Sequence, residues 1–186
     1  MSEQNVVRSE SMRRIRRLSL IMQIVVVVGA VFAELGFAWV WMSPSIVEEL
    51  VVSRLQIPLA DVSLDGPTRA LGFLISSLPL MVIFFALYQA FLLFAGYRKG
   101  EIFTSDASGR LRRIALAIIA AVLMSPVVQA ALSVLLTAGA APGRRHLVLQ
   151  FSFNDYLVAA LGGLLLAIAL VMAEAVRIAK ENREIV

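Results

Sequence analysis

Residues 71–94 read LGFLISSLPLMVIFFALYQAFLLF, an apolar run without a charged side chain. At about 1.5 Å per residue, a helix of this length covers the roughly 30 Å of a bilayer's hydrocarbon. A barrel strand needs only about ten residues, alternating apolar with polar, and that alternation is missing. The run reads as a transmembrane helix. Working outward, three more blocks repeat it, at about 18–41, 114–139 and 156–178. The expected fold class is all-α: a polytopic integral membrane protein built as a bundle of four transmembrane helices. One membrane domain spans 1–186, with an N-terminal segment 1–17, connections 42–70, 95–113 and 140–155, and a tail 179–186.

Composition agrees. The chain is 60% hydrophobic and 16% charged, against roughly 45–50% and about 25% in soluble domains, so it has too little polar surface for a water-facing globule. A soluble enzyme and an independent nucleic-acid-binding domain are excluded on that ground. The absence of cysteine removes disulfides, thiol catalysis and cysteine-ligated zinc.

Orientation follows from the basic residues. Arg8, Arg13, Arg14, Arg16 and Arg17 precede the first span. Arg98, Lys99, Arg110, Arg112 and Arg113 lie between spans two and three, and Arg177, Lys180 and Arg183 close the chain. These are 13 of the 17 Lys and Arg residues, and the positive-inside bias predicts N-in, C-in topology with the middle loop cytoplasmic. A signal peptide cleaved near Val31, Phe32 and Ala33 is the competing reading of the N-terminus. Against it, the apolar run continues past Glu34 to Trp41, longer than the 7–15 residues of a signal core. No aromatic residue interleaves with the N-terminal arginines, so they read as a headgroup anchor rather than a nucleic-acid contact.

The loops carry their own patterns. Ser43 before Pro44, the capping-box spacing of Ser45 and Glu48, and Val47, Val51 and Leu55 at four-residue intervals predict a short amphipathic helix in the first external loop, ending before Pro58. Asp65, Gly66 and Pro67 read as a turn into span two. In the middle loop, Lys99 and Gly100 suit a turn, and Thr104 or Ser105 can cap a helix that enters span three. After span four, Arg177 with Glu181 and Lys180 with Glu184 form i,i+4 pairs, each worth about 0.2–0.5 kcal/mol.

Inside the spans the polar residues stand out, because charge at the bilayer centre costs at least about 2.5–3.5 kcal/mol. Glu34 sits seven residues before Trp41, about 10 Å within the outer edge. Ser76, Ser77, Gln129, Ser133, Gly162 and Gly163 fall at comparable depth, so Glu34, Ser77 and Gln129 form a candidate proton- or ligand-sensitive site. The plainer alternative is a hydrogen-bonded group that holds the helices together. Ala117, Ala121, Ser125, Gln129, Ser133 and Thr137 define a small, polar face of span three, and Ala159, Gly163 and Ala167 repeat a small-xxx-small pattern in span four. Pro79 and Pro126 release carbonyls that Ser76, Gln129 or water can satisfy. Glu174, near the cytoplasmic end, reads as interfacial, with Arg177 or Arg98 as partner. His146 stands alone beside Arg144 and Arg145, and no cluster has metal-ligand spacing.

Two cytoplasmic segments carry a family resemblance. Tyr97, Arg98, Lys99, Gly100, Glu101, Ile102, Phe103 and Thr104, followed by Leu111, Arg112, Arg113 and Ile114, resemble the hallmark loop of a bacterial membrane-protein family catalogued as domain of unknown function 2975. Glu174, Ala175, Glu181, Asn182, Ile185 and Val186 resemble its acidic C-terminal signature, from which Arg183 and Glu184 depart. The resemblance implies a four-span protein of the bacterial cytoplasmic (inner) membrane with no assigned reaction. Members are often encoded beside small helix-turn-helix regulators, which implies a membrane partner that senses a condition or sequesters a regulator.

The expected function is therefore a non-enzymatic regulatory or interaction protein without a cofactor. Its candidate partner surface is Tyr97, Lys99, Gly100, Phe103, Thr104, Glu174, Glu181 and Asn182. Its expected partners are the lipid bilayer and a cytoplasmic protein, with a homo-oligomer left open and no direct nucleic acid. The alternative is a small oligomeric transporter or channel subunit with Glu34 as the proton-coupling residue.

Overall fold

The structure, a computed structural model, describes residues 3–141 and 143–184, with side chains from 12 to 182 except residue 142. Ile185, Val186 and the side chains of Arg8, Arg183 and Glu184 lie outside the described set. The chain is helical throughout: α1 (Glu3–Met42), α2 (Pro44–Leu50), α3 (Gly66–Lys99), α4 (Ser105–Leu136) and α5 (Phe153–Glu184). A π turn at Val51–Leu55 and a 3-10 turn at Leu59–Asp61 complete the elements, and no strand occurs among the described residues. Four helices, α1, α3, α4 and α5, are long and apolar enough to cross a membrane.

Local signals set most of the ends. Thr104 caps α4 by accepting from Ala107 N at 3.1 Å. Gly100 ends α3 in the left-handed region, at φ 90°, where glycine carries no Cβ penalty. Asp65 does more than turn the chain, because its Oδ1 accepts from Thr68 N at 3.1 Å and caps α3. The capping box expected of Ser45 and Glu48 does not form. Ser43 is the N-cap of α2, without a side-chain cap bond, because Pro44 already occupies the first turn. Helix α4 stops three residues before the expected Gly139. There the Thr137 hydroxyl donates to Ser133 O at 2.7 Å and its backbone leaves the helical region.

The long helices pack in chain order, α1 on α3, α3 on α4 and α4 on α5, so the bundle is an open row with α1 and α5 at its edges. Both edges keep large apolar side chains exposed, among them Phe32, Leu35, Leu157 and Val171. In hydrocarbon such surfaces need no cover. The α1–α3 joint is held at one end by Trp41, whose indole lies where a Cβ on Gly72 would stand, 2.3 Å from its Cη2. Arg69 Nη2 donates to the Trp41 carbonyl, one of the orphan acceptors at a helix C-terminus. Phe37 and Phe73 rings meet at 5.0 Å. At the other end the buried Gln23 donates to Phe91 O at 3.2 Å and accepts from Arg98 Nη1 at 2.9 Å.

Helix α5 meets α4 through a seam that differs from the expected one. Gly162 is buried, with Ile119 Cγ1 only 2.9 Å from the place a Cβ would take, whereas nothing lies within 4 Å of that place at Gly163. The seam runs Asp155, Val158, Gly162, Leu165, Ala169, Met172 and Val176, alternating steps of three and four. Ala167 and Gly163 face outward, because a four-residue repeat drifts off a packing face that follows the average helical period. The small face of α4 does turn inward: Ala117, Ser133 and Thr137 are buried and Ala121, Ser125 and Gln129 half-buried.

One end of the row is closed by the α1–α3 connection. Val47, Val51, Leu55 and Ile57 are buried with Leu136 in one apolar cluster, so the short helix packs onto the ends of the long ones. Asp61, only 6% exposed, ties the two connections at this end together through Arg144 Nε at 2.9 Å and His146 Nε2 at 3.2 Å. His146 N also donates to Thr137 Oγ1 and Val148 N to Ser133 Oγ. We call this the capped end and the opposite one the arginine-rich end.

Candidate functional site

Glu34 projects from α1 into an open, apolar crevice shared with Phe84, Leu87, Tyr88 and Phe91 of α3. No hydrogen bond or ion pair reaches its carboxylate among the described residues. Ser77 Oγ donates to Leu74 O of its own helix at 2.7 Å. Gln129 lines a different cavity, at the capped end, and donates to Ser125 Oγ at 3.2 Å. The expected trio is not brought together. Similar depth placed these residues in one layer, but in an open row α1 and α4 lie on opposite sides of α3. Ser76 likewise stays within its helix, donating to Gly72 O at 2.6 Å rather than to the carbonyl of residue 75 that Pro79 releases.

The glutamines tell a fuller story than sequence reasoning drew from them. Gln23 and Gln89 are both buried in α1 and α3, and Gln89 Oε1 has no hydrogen-bond partner among the described residues. Gln23 links α1 to α3 and to Arg98. Their signal was present, since a glutamine within an apolar span must find a partner or a cavity.

At the arginine-rich end the middle loop and the last helix come together. Phe103, Thr104 and Ser105 form one wall of a groove of about 540 Å³, and Ala175, Val176, Ala179 and Lys180 form the other. Phe103 is 78% exposed, an extreme position for a phenylalanine in a loop tethered by caps on both sides. Tyr97 instead packs inward, edge-on to Phe94 at 6.1 Å and against the cluster of Leu93, Ala107 and Ile114. Gly100 closes the turn by donating its N–H to Tyr97 O, with Met12 Cε of α1 nearby. Lys99, Arg112 and Arg113 are exposed and have no acidic partner among the described residues.

On α5 the charges are arranged within the helix. Arg177 bridges Glu174 and, at 3.4 Å, Glu181, so Glu174 takes Arg177 rather than Arg98. Asn182 is exposed on the next turn. The expected surface thus divides: Phe103 and Thr104 line the groove, Glu174 and Glu181 lie on α5 in an ion-paired ladder, and Tyr97 and Gly100 shape the turn beneath. No group of three His, Cys, Asp or Glu residues placed to hold a metal occurs among the described residues.

A model of the family described as "Protein of unknown function (DUF2975)" matches residues 51–186. No curated protein and no solved structure matches the chain.

Proposed function

The chain belongs to this family of proteins of unknown function, and from that membership we propose a non-enzymatic, multi-pass protein of the bacterial cytoplasmic membrane that docks a cytoplasmic protein at its arginine-rich end. The observation that carries the reading is the groove. Residues 103–105 and 175–180, some seventy positions apart in the chain, form one apolar concavity beside an exposed Phe103. Exposed aromatic side chains at concave surfaces are typical anchors of protein contacts. Lys99, Arg112 and Arg113 at the same end, without an acidic partner among the described residues, favour an acidic partner. With 13 of 17 basic residues at that end, the positive-inside rule supports its cytoplasmic location. A small transcriptional regulator is the partner class that the family resemblance implies.

Crosslinking in native membranes followed by mass spectrometry tests this. Phe103→Ala and Ala179→Trp, one emptying and one filling the groove, are expected to lower the yield of a specific crosslinked cytoplasmic protein at least about tenfold, the size of a hot-spot loss. Glu34→Gln should leave it unchanged. A partner lost with Glu34→Gln but kept with both groove variants would refute the reading.

A further inference from the structure

Two cavities toward the capped end are parts of one crevice. The outer part, about 410 Å³, is bounded by Ser53, Arg54 and Gln56 from the α1–α3 connection and by Gln150 and Ser152 ahead of α5. The inner part, about 350 Å³, lies between Pro79 and Ile83 of α3, Ile118 and Val122 of α4, and Val158 of α5. Ser125, Gln129, Asn154 and Asp155 line both, so a polar mouth opens directly into an apolar slot. From Gln129 to Ile118 the slot follows α4 for roughly 16 Å.

The mouth has a definite electrostatic character. The Arg54 guanidinium has no acidic partner among the described residues, and the side chains of Gln56 and Asn154 are also without hydrogen-bond partners there. The first turn of α5 begins at Phe153, where N–H groups and the helix dipole favour negative charge. Asp155, the one acid in the mouth, is held in the α5 cap. Its Oδ2 accepts from Ser152 N at 2.8 Å and Ser152 Oγ at 2.9 Å, and its N–H donates to Ser152 Oγ at 3.1 Å. What remains unpaired in the mouth, among the described residues, is the Arg54 guanidinium, the side-chain amides of Gln56, Gln150 and Asn154, and the Ser53 hydroxyl.

We propose that this crevice binds a single-chain amphiphile with an anionic head group, a phosphate or a carboxylate. The head sits between Arg54 and Asn154 at the start of α5, and the chain lies in the slot between α3, α4 and α5. The polar-to-apolar gradient matches such a molecule end for end. The slot's volume falls at the small end of the about 300–1,000 Å³ of ligand pockets, which suits one chain rather than two. The site lies at the opposite end from the docking groove and does not depend on it.

The test is native mass spectrometry and calorimetry on the full chain in nanodiscs of neutral phosphatidylcholine, with dodecyl phosphate as the probe. One dodecyl phosphate is expected to bind per chain. Dodecyl maltoside, dodecylphosphocholine and inorganic phosphate should each bind at least about tenfold more weakly, since they lack the charge, neutralise it or lack the chain. Arg54→Gln, an exposed position that does not threaten folding, should weaken dodecyl phosphate about tenfold, as expected for one charge-assisted contact. Val158→Trp should fill the slot and abolish binding, with circular dichroism reporting on the fold. Equal binding of the neutral and anionic amphiphiles, or binding unaffected by both variants, would show annular lipid only and overturn the proposal. Equal binding of inorganic phosphate would show an anion site without a chain and overturn it as well.

Discussion

Gly72→Ala tests the α1–α3 joint at a single carbon. The added Cβ would stand 2.3 Å from Trp41 Cη2 and 2.6 Å from Cζ3, whereas carbon atoms in contact prefer about 3.5–4.0 Å. The indole must therefore retreat by about 1.2 Å or more. Trp41 also packs against the Val47, Val51 and Leu136 cluster, and its own carbonyl is held by Arg69, so movement of the ring disturbs this joint. Overpacking of this kind costs about 1–3 kcal/mol. Replacing glycine by alanine within a helix recovers about 1 kcal/mol of that, which leaves a net loss of between about 0 and 2 kcal/mol. Equilibrium unfolding in mixed micelles measures it. With Trp39→Phe as background, Trp41 is the sole indole, and its emission should shift on the same substitution. In a Trp41→Ala background the sign should reverse, because only the helix-propensity gain remains. A Gly72→Ala protein about 1 kcal/mol more stable than the parent, the full helix-propensity gain, or the same effect with and without Trp41, would refute the close-approach argument.

Two further outcomes follow from particular atoms. Gly162→Leu forces α5 off Ile118 and Ile119, an overpacking cost of about 1–3 kcal/mol, while Gly163→Leu, one position on, should be neutral or gain up to about 1 kcal/mol from helix propensity; the reverse order in thermal unfolding would place the seam on the other face. Asp65 is held ionised below the ordinary carboxylate range by hydrogen bonds from the Thr68 side chain and backbone. A depressed folded-state pKa contributes stability that is present above the unfolded value and is lost as pH falls through the folded one. Unfolding followed through acid pH should show that loss in the parent and not in Asp65→Ala, and superimposable profiles would contradict it.

Much of this architecture was legible in the residue order. Long apolar runs marked four long helices, and Thr104, Gly100 and Pro44 marked where helices begin and end, because caps act over three or four residues of the same chain. The groove was legible only in outline. Phe103 and the tail could be named as polar-end features of one side, but their apposition depends on where α5 lies against α4. The capped-end crevice was less visible still: Arg54, Gln129 and Asn154 come from three separate segments and carry no shared motif.

Depth groups Glu34 with Gln129, and a four-residue repeat favours Gly163 over Gly162; the packed helices depart from both for one physical reason. Hydropathy reports which segments leave water and how deep each residue lies, because that transfer depends on the residue and its distance from a charged end. It does not report which side of a helix meets another helix. In a bilayer, lipid-facing and helix-facing side chains are alike apolar, so the choice between them falls to steric fit. The indole of Trp41 over Gly72, Ile119 over Gly162 and the open order of the row are matters of shape, which only the packed helices express.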